Sequence, residues 1–156
     1  VPSGRVVLLK NVDYKGFTFY TNYNSSKGLD IKFNPNVSVT FFWPELEQQI
    51  RIKGTVMKLD AESSDIYFNS RPKGSQIAAS ASNQSTLIDD RSVLENEVNR
   101  LEKLYENKDI PRPDHWGGYL LSPSRIEFWQ GRASRLHDRC LYELHGDDWK
   151  MSRLAP

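Results

Sequence analysis

Residues 16–23 read GFTFYTNY and carry the clearest strand pattern in the chain. Phe17 and Phe19 face one side of an extended backbone, and the residues between them face the other. Just before this run, Asp13-Tyr14-Lys15-Gly16 has the composition of a tight turn, and residues 5–10 (RVVLLK) are again apolar and β-branched. The sequence therefore predicts a hairpin formed by the strands Arg5–Lys10 and Gly16–Tyr23.

More short strands are predicted outward from this hairpin. Asn36–Trp43 and Gln49–Leu59 alternate in the same way, with Gly54 as a candidate bulge. The C-terminal part holds four further runs between turn signals, which are Gly117–Leu121, Arg125–Gln130, Cys140–Leu144 and Trp149–Leu154. Many short strands at close spacing favour a barrel.

The middle of the chain is predicted to be helical. Ala61–Ser70 has Asp60 as its N-cap and ends at Pro72, which also suits the start of a following helix. Asp90–Asn107 carries an apolar stripe at helical spacing and Ser92-x-x-Glu95, a capping-box pattern. We therefore predict one domain over residues 1–156, mainly β with helical insertions.

Composition excludes several kinds of function. With 21 Lys and Arg against 20 Asp and Glu, the net charge of +1 gives no overall attraction to nucleic acid or to an anionic membrane. No apolar run approaches membrane-spanning length. The single Cys140 and the absence of HExxH or paired Cys/His spacing argue against a metal site, and we interpret Cys140 as a core thiol.

A first group of polar residues combines cations and hydroxyls on or after the predicted strands. It consists of Arg5, Lys10, Tyr20, Thr21 and Lys27. A phosphate is bound by several such donors that converge from rigid elements. The alternative at this point is a set of exposed strand charges.

A second group has four-residue spacing, Tyr67-x3-Arg71-x3-Ser75. Tyr67 and Arg71 would share one helix face, and Ser75 would lie near the start of the next helix. A helix N-terminus beside an arginine and a hydroxyl suits a phosphate. The alternative to a phosphate site is that the tyrosine packs in the core, the arginine lies on the surface and the serine has no role.

The third group is the segment Ile126–Arg139, IEFWQGRASRLHDR. Its polar and aromatic residues crowd the end of a predicted strand, where functional sites are common. They are Glu127, Trp129, Arg135, His137, Asp138 and Arg139. In the alternative interpretation the aromatic residues are core and the charged residues form a solvated loop.

This third segment resembles the C-terminal signature of the pyridoxine 5'-phosphate (pyridoxamine 5'-phosphate) oxidases. RPKGSQIAASASNQS (residues 71–85), RVVLLK and FYTNYNSSKG, PDHWGGY (residues 113–119) and the terminal RLAP are also similar to that family, in the same order. The resemblance implies an FMN-binding split β-barrel that works as a homodimer, with FMN at the subunit interface. It also implies that the family's N-terminal segment is absent from this chain.

The resemblance further implies the roles of individual residues. The expected FMN contacts are Arg5, Lys10, Tyr20, Thr21, Lys27, Gln49, Gln84, Ser85, Trp129 and Arg139. The expected substrate contacts are Lys10, Tyr67, Arg71, Ser75, Arg135 and His137, with Arg135 and His137 as the catalytic pair. The implied reaction transfers a hydride from a phosphorylated pyridine substrate to N5 of FMN, and O2 reoxidises the flavin to give H2O2.

Departures from the family pattern keep other interpretations open. Ser25-Ser26-Lys27 lacks the arginine that usually precedes the lysine, and Ile77-Ala78-Ala79 replaces Ile-Gly-Ala. One alternative is a non-catalytic protein that binds FMN or pyridoxal phosphate on the same barrel, and another is a different flavoenzyme of the superfamily. The cytoplasm is the default location.

Overall fold

The computed structural model describes residues 2–156. Its strands are β1 (Leu9–Asp13), β2 (Gly16–Asn22), β3 (Asn36–Trp43), β4 (Gln48–Lys58), β5 (Trp116–Gln130), β6 (Asp138–His145) and β7 (Asp148–Arg153). Its α-helices are α1 (Ser26–Phe33), α2 (Ala61–Asn69), α3 (Lys73–Ala81) and α4 (Arg91–Leu104). Short 3-10 turns span Pro44–Leu46 and Ala133–Arg135. The prediction of a mainly β chain with helical insertions is confirmed.

Strand β5 organises the sheet because it changes partners along its length. Its first part, from Trp116 to Leu121, pairs with β2, and its second part, from Arg125 to Gln130, pairs with β6. Strand β4 pairs with β5 on the other side, and β1, β3 and β7 extend the edges, all antiparallel. The sheet therefore divides into two arms that share β5 and β4.

The buried core has two centres. Phe19, Ile52 and Leu121 belong to the first, between the arms of the sheet. The second packs helices α2, α3 and α4 against the start of β5 and includes the fully buried Phe68 and the nearly buried Trp116. Burial of large apolar side chains is the main stabilising force in both centres. Tyr20 and Tyr67, which belong to the first two polar groups, pack against this second centre.

The helix ends show which local signals were interpreted correctly. The predicted N-cap Asp60 is confirmed, since its Oδ1 accepts a hydrogen bond from Ser63 N at 2.6 Å. The predicted capping box is wrong: Asp90 is the N-cap of α4 and accepts from Ser92 N at 2.6 Å. Glu95 instead accepts from the Arg91 side chain at 2.6 Å. Asp90 is the better cap because its carboxylate reaches the first free N–H groups directly.

The structure differs from the prediction in three places. The first strand begins at Leu9 rather than Arg5, and residues 5–8 run beside the sheet without pairing. Helix α1 was not predicted; the fully buried Ser25 caps it by accepting from Gly28 N at 3.4 Å. The predicted strands Gly117–Leu121 and Arg125–Gln130 are one strand, β5.

The turn signals inside β5 mark an irregularity instead of a chain reversal. The pairing with β4 shifts between Lys53 and Gly54, where Gly54 faces Pro123. This position confirms the predicted bulge at Gly54. A Cβ on Gly54 would lie 2.0 Å from the Ser122 carbonyl oxygen, so the close approach requires glycine.

The hairpin turn is also confirmed. Asp13 Oδ1 accepts from Lys15 N at 2.8 Å and from Gly16 N at 3.3 Å, and Gly16 has a φ of 141°. That conformation favours glycine. Within residues 2–156, no helix is both long and apolar enough to cross a membrane.

Candidate active site

A cavity of about 700 Å³ lies where residues 6–10 and strand β2 meet the helices. It brings together residues that are far apart in the sequence but were selected as site candidates. They are Lys10, Tyr20, Thr21, Lys27, Tyr67, Arg71, Ser75 and Gln84. Apart from Arg5, the first two polar groups of the sequence therefore form one site.

The charge of this cavity has one sign. Lys10, Lys27 and Arg71 line it, and no aspartate or glutamate does. Among residues 2–156, no carboxylate forms an ion pair with any of these three cations. Unpaired cations in a partly enclosed site favour an anionic ligand.

Lys27 forms the centre of one end of the cavity. Its Nζ donates to Thr21 Oγ1 at 2.9 Å, to Ser25 Oγ at 3.1 Å and to Gln84 Oε1 at 3.0 Å. Burial lowers the pKa of Lys27, and the charge of Arg5 adds to this effect. Arg5 itself does not line the cavity, and its guanidinium lies 3.6 Å from Asp30.

Tyr67 and Arg71 form the other end. The Tyr67 ring stacks on Tyr20 with 3.8 Å between the ring centroids. The Arg71 guanidinium lies 4.5 Å from the centre of the Trp116 ring, and Lys10 Nζ lies 6.0 Å from that of Tyr67. Stacked aromatic rings thus hold the cations in fixed positions beside the cavity.

Arg71 has a polar atom without a partner. Its Nη1 is buried and makes no hydrogen bond within residues 2–156. Burial lowers the pKa of Arg71, although the nearby Tyr67 opposes the change. A buried donor without an acceptor is costly, and a ligand oxygen would remove that cost. Ser75 lies close by in the first turn of α3.

Five of the remaining candidates, all except Arg5 and Ser85, lie on a separate surface, a polar face of the sheet. Gln49, Trp129 and Arg139 are cross-strand neighbours on β4, β5 and β6. None of the three lines the large cavity. We call this surface the polar sheet face, and it includes the turn from Gly131 to His137.

Arg135 and His137 lie in that turn. The His137 ring packs on Trp129 with 4.8 Å between the ring centres, and its Nδ1 accepts from Arg132 N at 3.1 Å. In the neutral ring the proton is therefore on Nε2. Ser134 and Arg135 have φ values of 55° and 61°, a left-handed conformation that costs about 1–3 kcal/mol per residue and is common at functional sites.

The structure therefore places some of the candidate residues in the large cavity and the others outside it. Eight of them line the large cavity, and the structure does not place Arg5, Gln49, Ser85, Trp129, Arg135, His137 or Arg139 there. Ser85 lies in the loop after α3 with a φ of 74°. Within a single chain, the two sets form no common pocket.

Two residues of this site were missed by the sequence analysis. Trp116 lines the cavity, and its ring carries the Arg71 guanidinium. Ser25 does not line the cavity itself, but its Oγ accepts a hydrogen bond from Lys27 Nζ. Trp116 belongs to the PDHWGGY motif, so the motif was the available signal. Ser25 precedes the unexpected helix α1 and belongs to the FYTNYNSSKG motif, so a motif was the available signal for it too.

Comparison with known proteins identifies the family. Residues 1–105 match the family model described as "Pyridoxamine 5'-phosphate oxidase". Residues 116–156 match "Pyridoxine 5'-phosphate oxidase C-terminal dimerisation region". A "Pyridoxine/pyridoxamine 5'-phosphate oxidase" from Cyanothece sp. is 54% identical over 155 residues, which are 99% of this chain and 73% of that protein.

The chain belongs to the pyridoxine/pyridoxamine 5'-phosphate oxidase family. Because the 54% identity extends over nearly the whole chain, the same relatives identify it as an enzyme of this oxidase class. Family membership supports FMN as the cofactor, and the match to a dimerisation region supports a homodimer.

Solved structures agree with the oxidase family fold. PhzG from Burkholderia lata, in complex with tetrahydrophenazine-1-carboxylic acid, has a TM-score of 0.93 and 34% identity, over 99% of this chain and 75% of its own. A pyridoxamine 5'-phosphate oxidase-related, FMN binding protein from Nostoc punctiforme has a TM-score of 0.77 and 15% identity, over 99% of this chain and 81% of its own. The split-barrel prediction is confirmed.

Proposed function

We propose that this chain, as a homodimer, uses FMN to oxidise pyridoxine 5'-phosphate or pyridoxamine 5'-phosphate to pyridoxal 5'-phosphate. The cavity is the observation that carries this proposal. Three cations and no carboxylate line it, and the buried Arg71 Nη1 has no acceptor within residues 2–156. Such a site suits a phosphorylated ligand.

The two ends of the cavity fit two phosphates. FMN and the substrate each carry one, so two groups of donors are needed. Lys27 with Thr21 and Gln84 would hold the FMN phosphate, since the amine and hydroxyl already converge there. Arg71 and Ser75, with Tyr67 and Lys10, would hold the substrate phosphate at the opposite end.

The polar sheet face would complete the cavity of the other subunit. In a two-fold dimer, a surface of one chain covers a surface of its partner, and the contact occurs twice. This arrangement explains why the two sets of site residues share no pocket within one chain. Gln49, Trp129 and Arg139 would then reach the FMN of the other subunit, and Arg135 and His137 its substrate.

Bound FMN would supply the redox chemistry, which is hydride transfer from C4' of the substrate to the flavin N5 and reoxidation of the flavin by O2 to give H2O2. The chain contributes binding and orientation. Trp129 would offer an apolar wall for a planar ring. His137 packs on Trp129, and its Nε2–H, which makes no hydrogen bond within residues 2–156, would donate to the pyridine substituents. Arg135 lies in the same strained turn and would contact the substrate beside His137.

A second candidate function is a non-catalytic protein that binds FMN or pyridoxal phosphate. The observation that favours it is Ser26, which lies exposed in the first turn of α1 where the resemblance leads us to expect an arginine. The loss of one cation would weaken FMN binding and leave the rest of the site intact.

Absorbance spectra of the purified protein with FMN, before and after anaerobic addition of pyridoxine 5'-phosphate, test the proposal. For the oxidase we expect a flavin band that bleaches with substrate and returns in air. A flavin band that the substrate leaves unchanged would support the second candidate. Failure to bind FMN at all would contradict the oxidase and the FMN-binding form of the second candidate, and failure to bind pyridoxal phosphate as well would contradict the second candidate entirely.

A further inference from the structure

We propose that Glu127 is a positioning residue of the cofactor site, whose carboxylate holds the Arg139 guanidinium in the orientation that contacts FMN. The inference rests on the proposed function, which assigns Arg139 to the cofactor. Glu127 itself contacts neither cofactor nor substrate in this account. It acts through Arg139.

The geometry around Glu127 is that of a buried anchor. Only 4% of the residue is exposed, and its strand neighbours supply two guanidinium groups. Oε1 accepts from Arg139 Nε and lies 2.9 Å from both Nε and Nη2 of that residue. Oε2 accepts from Arg51 Nη2 at 2.6 Å. Both carboxylate oxygens are thus engaged.

Strand register explains why these residues meet. Glu127 lies directly opposite Arg51 on β4, and Trp129, two residues later on the same face of β5, lies opposite Arg139. Residues two apart on a strand point to the same side of the sheet. Glu127 therefore lies next to the row formed by Gln49, Trp129 and Arg139.

Arg139 is fixed on more than one side but keeps donors for a ligand. Its Nη1 donates to the Ala155 carbonyl oxygen at 2.8 Å, in addition to the two nitrogens that face Glu127. A guanidinium has five N–H groups, so one contact at each nitrogen leaves two N–H groups unused. A pre-organised arginine of this kind loses little conformational freedom when it binds a ligand.

The charge balance suits an anionic cofactor. Burial opposes ionisation of Glu127, but hydrogen bonds from Arg139 and Arg51 outweigh it and lower the pKa of the carboxyl group. Two guanidinium groups and one carboxylate leave one net positive charge. Arg51 thus allows a carboxylate to orient Arg139 without cancelling its attraction for a negative ligand.

Titration of the dimeric protein with FMN, followed by quenching of flavin fluorescence, tests this role. We expect E127Q to raise the FMN dissociation constant about tenfold, as for a lost charge-assisted hydrogen bond. In an R139Q background, E127Q should change the constant by less than about twofold, because the residue through which it acts is gone. The matched control is E143Q, which removes a looser ion pair with Arg125 (3.6 Å) on the neighbouring strand and should have no effect.

Equal FMN affinity of E127Q and wild type would overturn the inference. It would also be overturned if E127Q caused the same loss of affinity in the R139Q background as in the wild-type background. The melting temperature of each variant identifies a folding defect. If E127Q does not fold, E127D keeps the charge and shortens the side chain, and the same dependence on Arg139 is expected. Wild-type protein that fails to bind FMN would contradict the proposed function instead.

Discussion

The cavity and the polar sheet face differ in whether their cations are paired with carboxylates. In the cavity, Lys10, Lys27 and Arg71 make no ion pair with any carboxylate among residues 2–156, and Arg71 carries a buried atom without an acceptor. On the sheet face, Arg139 and Arg51 are both held by Glu127. Within the described residues, the cations of the cavity are not paired with a carboxylate, whereas on the sheet face the Glu127 carboxylate orients Arg139 and Arg51.

Under the proposed function, this difference corresponds to two kinds of contribution to one site. Unbalanced cations bind an anion strongly because no protein group competes with it. Anchored cations give direction, because their side chains do not reorganise when the ligand arrives. We infer that the cavity supplies most of the affinity for phosphate and that the sheet face supplies the alignment of the reacting rings.

Removal of Arg71 should have the largest effect. In R71M we expect the KM for pyridoxine 5'-phosphate to rise about 100-fold, since a buried charge-assisted contact to the phosphate is lost. The free energy of unfolding of the ligand-free protein should change by less than about 1 kcal/mol, because the loss of the stacking on Trp116 is offset by relief of the buried donor. Steady-state kinetics and urea denaturation measure the two quantities.

The control for this variant is R100M, since Arg100 is exposed on α4 and, within residues 2–156, forms an ion pair only with Glu97. It should leave KM unchanged. If R71M binds substrate like the wild type, the assignment of this end of the cavity to the substrate phosphate is wrong.

Removal of Lys27 should have the next largest effect. In K27M we expect the FMN dissociation constant to rise at least about tenfold, because the amine that joins Thr21 and Gln84 is lost. K32M, an exposed lysine in the same helix, is the matched control. If fluorescence titration gives the same FMN dissociation constant for K27M and K32M, Lys27 does not bind the FMN phosphate.

A gain of affinity is expected from S26R. Ser26 is exposed at the start of α1, one residue before Lys27. A cation there should tighten FMN binding about fivefold, less than a full charge-assisted bond because a positive charge at a helix N-terminus costs about 0.3–1 kcal/mol. The ratio of FMN dissociation constants of S26R and wild type measures this gain, and weaker binding in S26R would exclude a nearby phosphate.

The smallest expected effect is a pH dependence due to Lys27, which has opposite signs for the free energy of unfolding and for FMN affinity. Burial first, and Arg5 second, lower the pKa of Lys27 below the ordinary value of 10.5 in the folded protein. In the window between the folded and the unfolded pKa, the unfolded chain binds more protons at this residue, so the free energy of unfolding rises with pH. FMN affinity should fall through the same window, because the phosphate needs the charged amine.

Comparison of wild type with K27M over a pH series from neutral pH up to the ordinary lysine pKa of 10.5 isolates the contribution of Lys27. Urea denaturation of ligand-free protein gives the first trend and FMN titration the second. If wild type and K27M show the same pH dependence in both measurements, the partly buried Lys27 amine does not have the lowered pKa that its position implies.

The sequence predicted the parts of the fold that local pattern determines. Alternation identified the hairpin and β4, and Gly54 marked the bulge because only a residue without a side chain tolerates that approach. Helix α1 was missed because its apolar stripe is weak and its cap, Ser25, is buried by contacts from other elements. The length of β5 was missed because Pro123 suggests a turn, yet here it lies at the bulge opposite Gly54.

Assembly of the site depended on contacts that local pattern does not contain. Lys27 and Gln84 are 57 positions apart, and only the fold brings them within 3.0 Å. The division of the candidates between two surfaces was not predicted, because a sequence motif does not show which residues face which side of a sheet. The bridging role of Glu127 appeared only from the register of β4, β5 and β6.

The activity of mixed dimers tests most directly whether the cavity of one subunit and the polar sheet face of the other form one site. R71M damages only the cavity, and H137A damages only the sheet face. Mixed dimers, isolated with a different tag on each chain, contain one site with both changes and one site with neither. We predict about half of the wild-type activity in the mixed dimers, although each parent dimer has little. Mixed dimers as inactive as both parents would contradict the account, because each site would then be contained in a single chain.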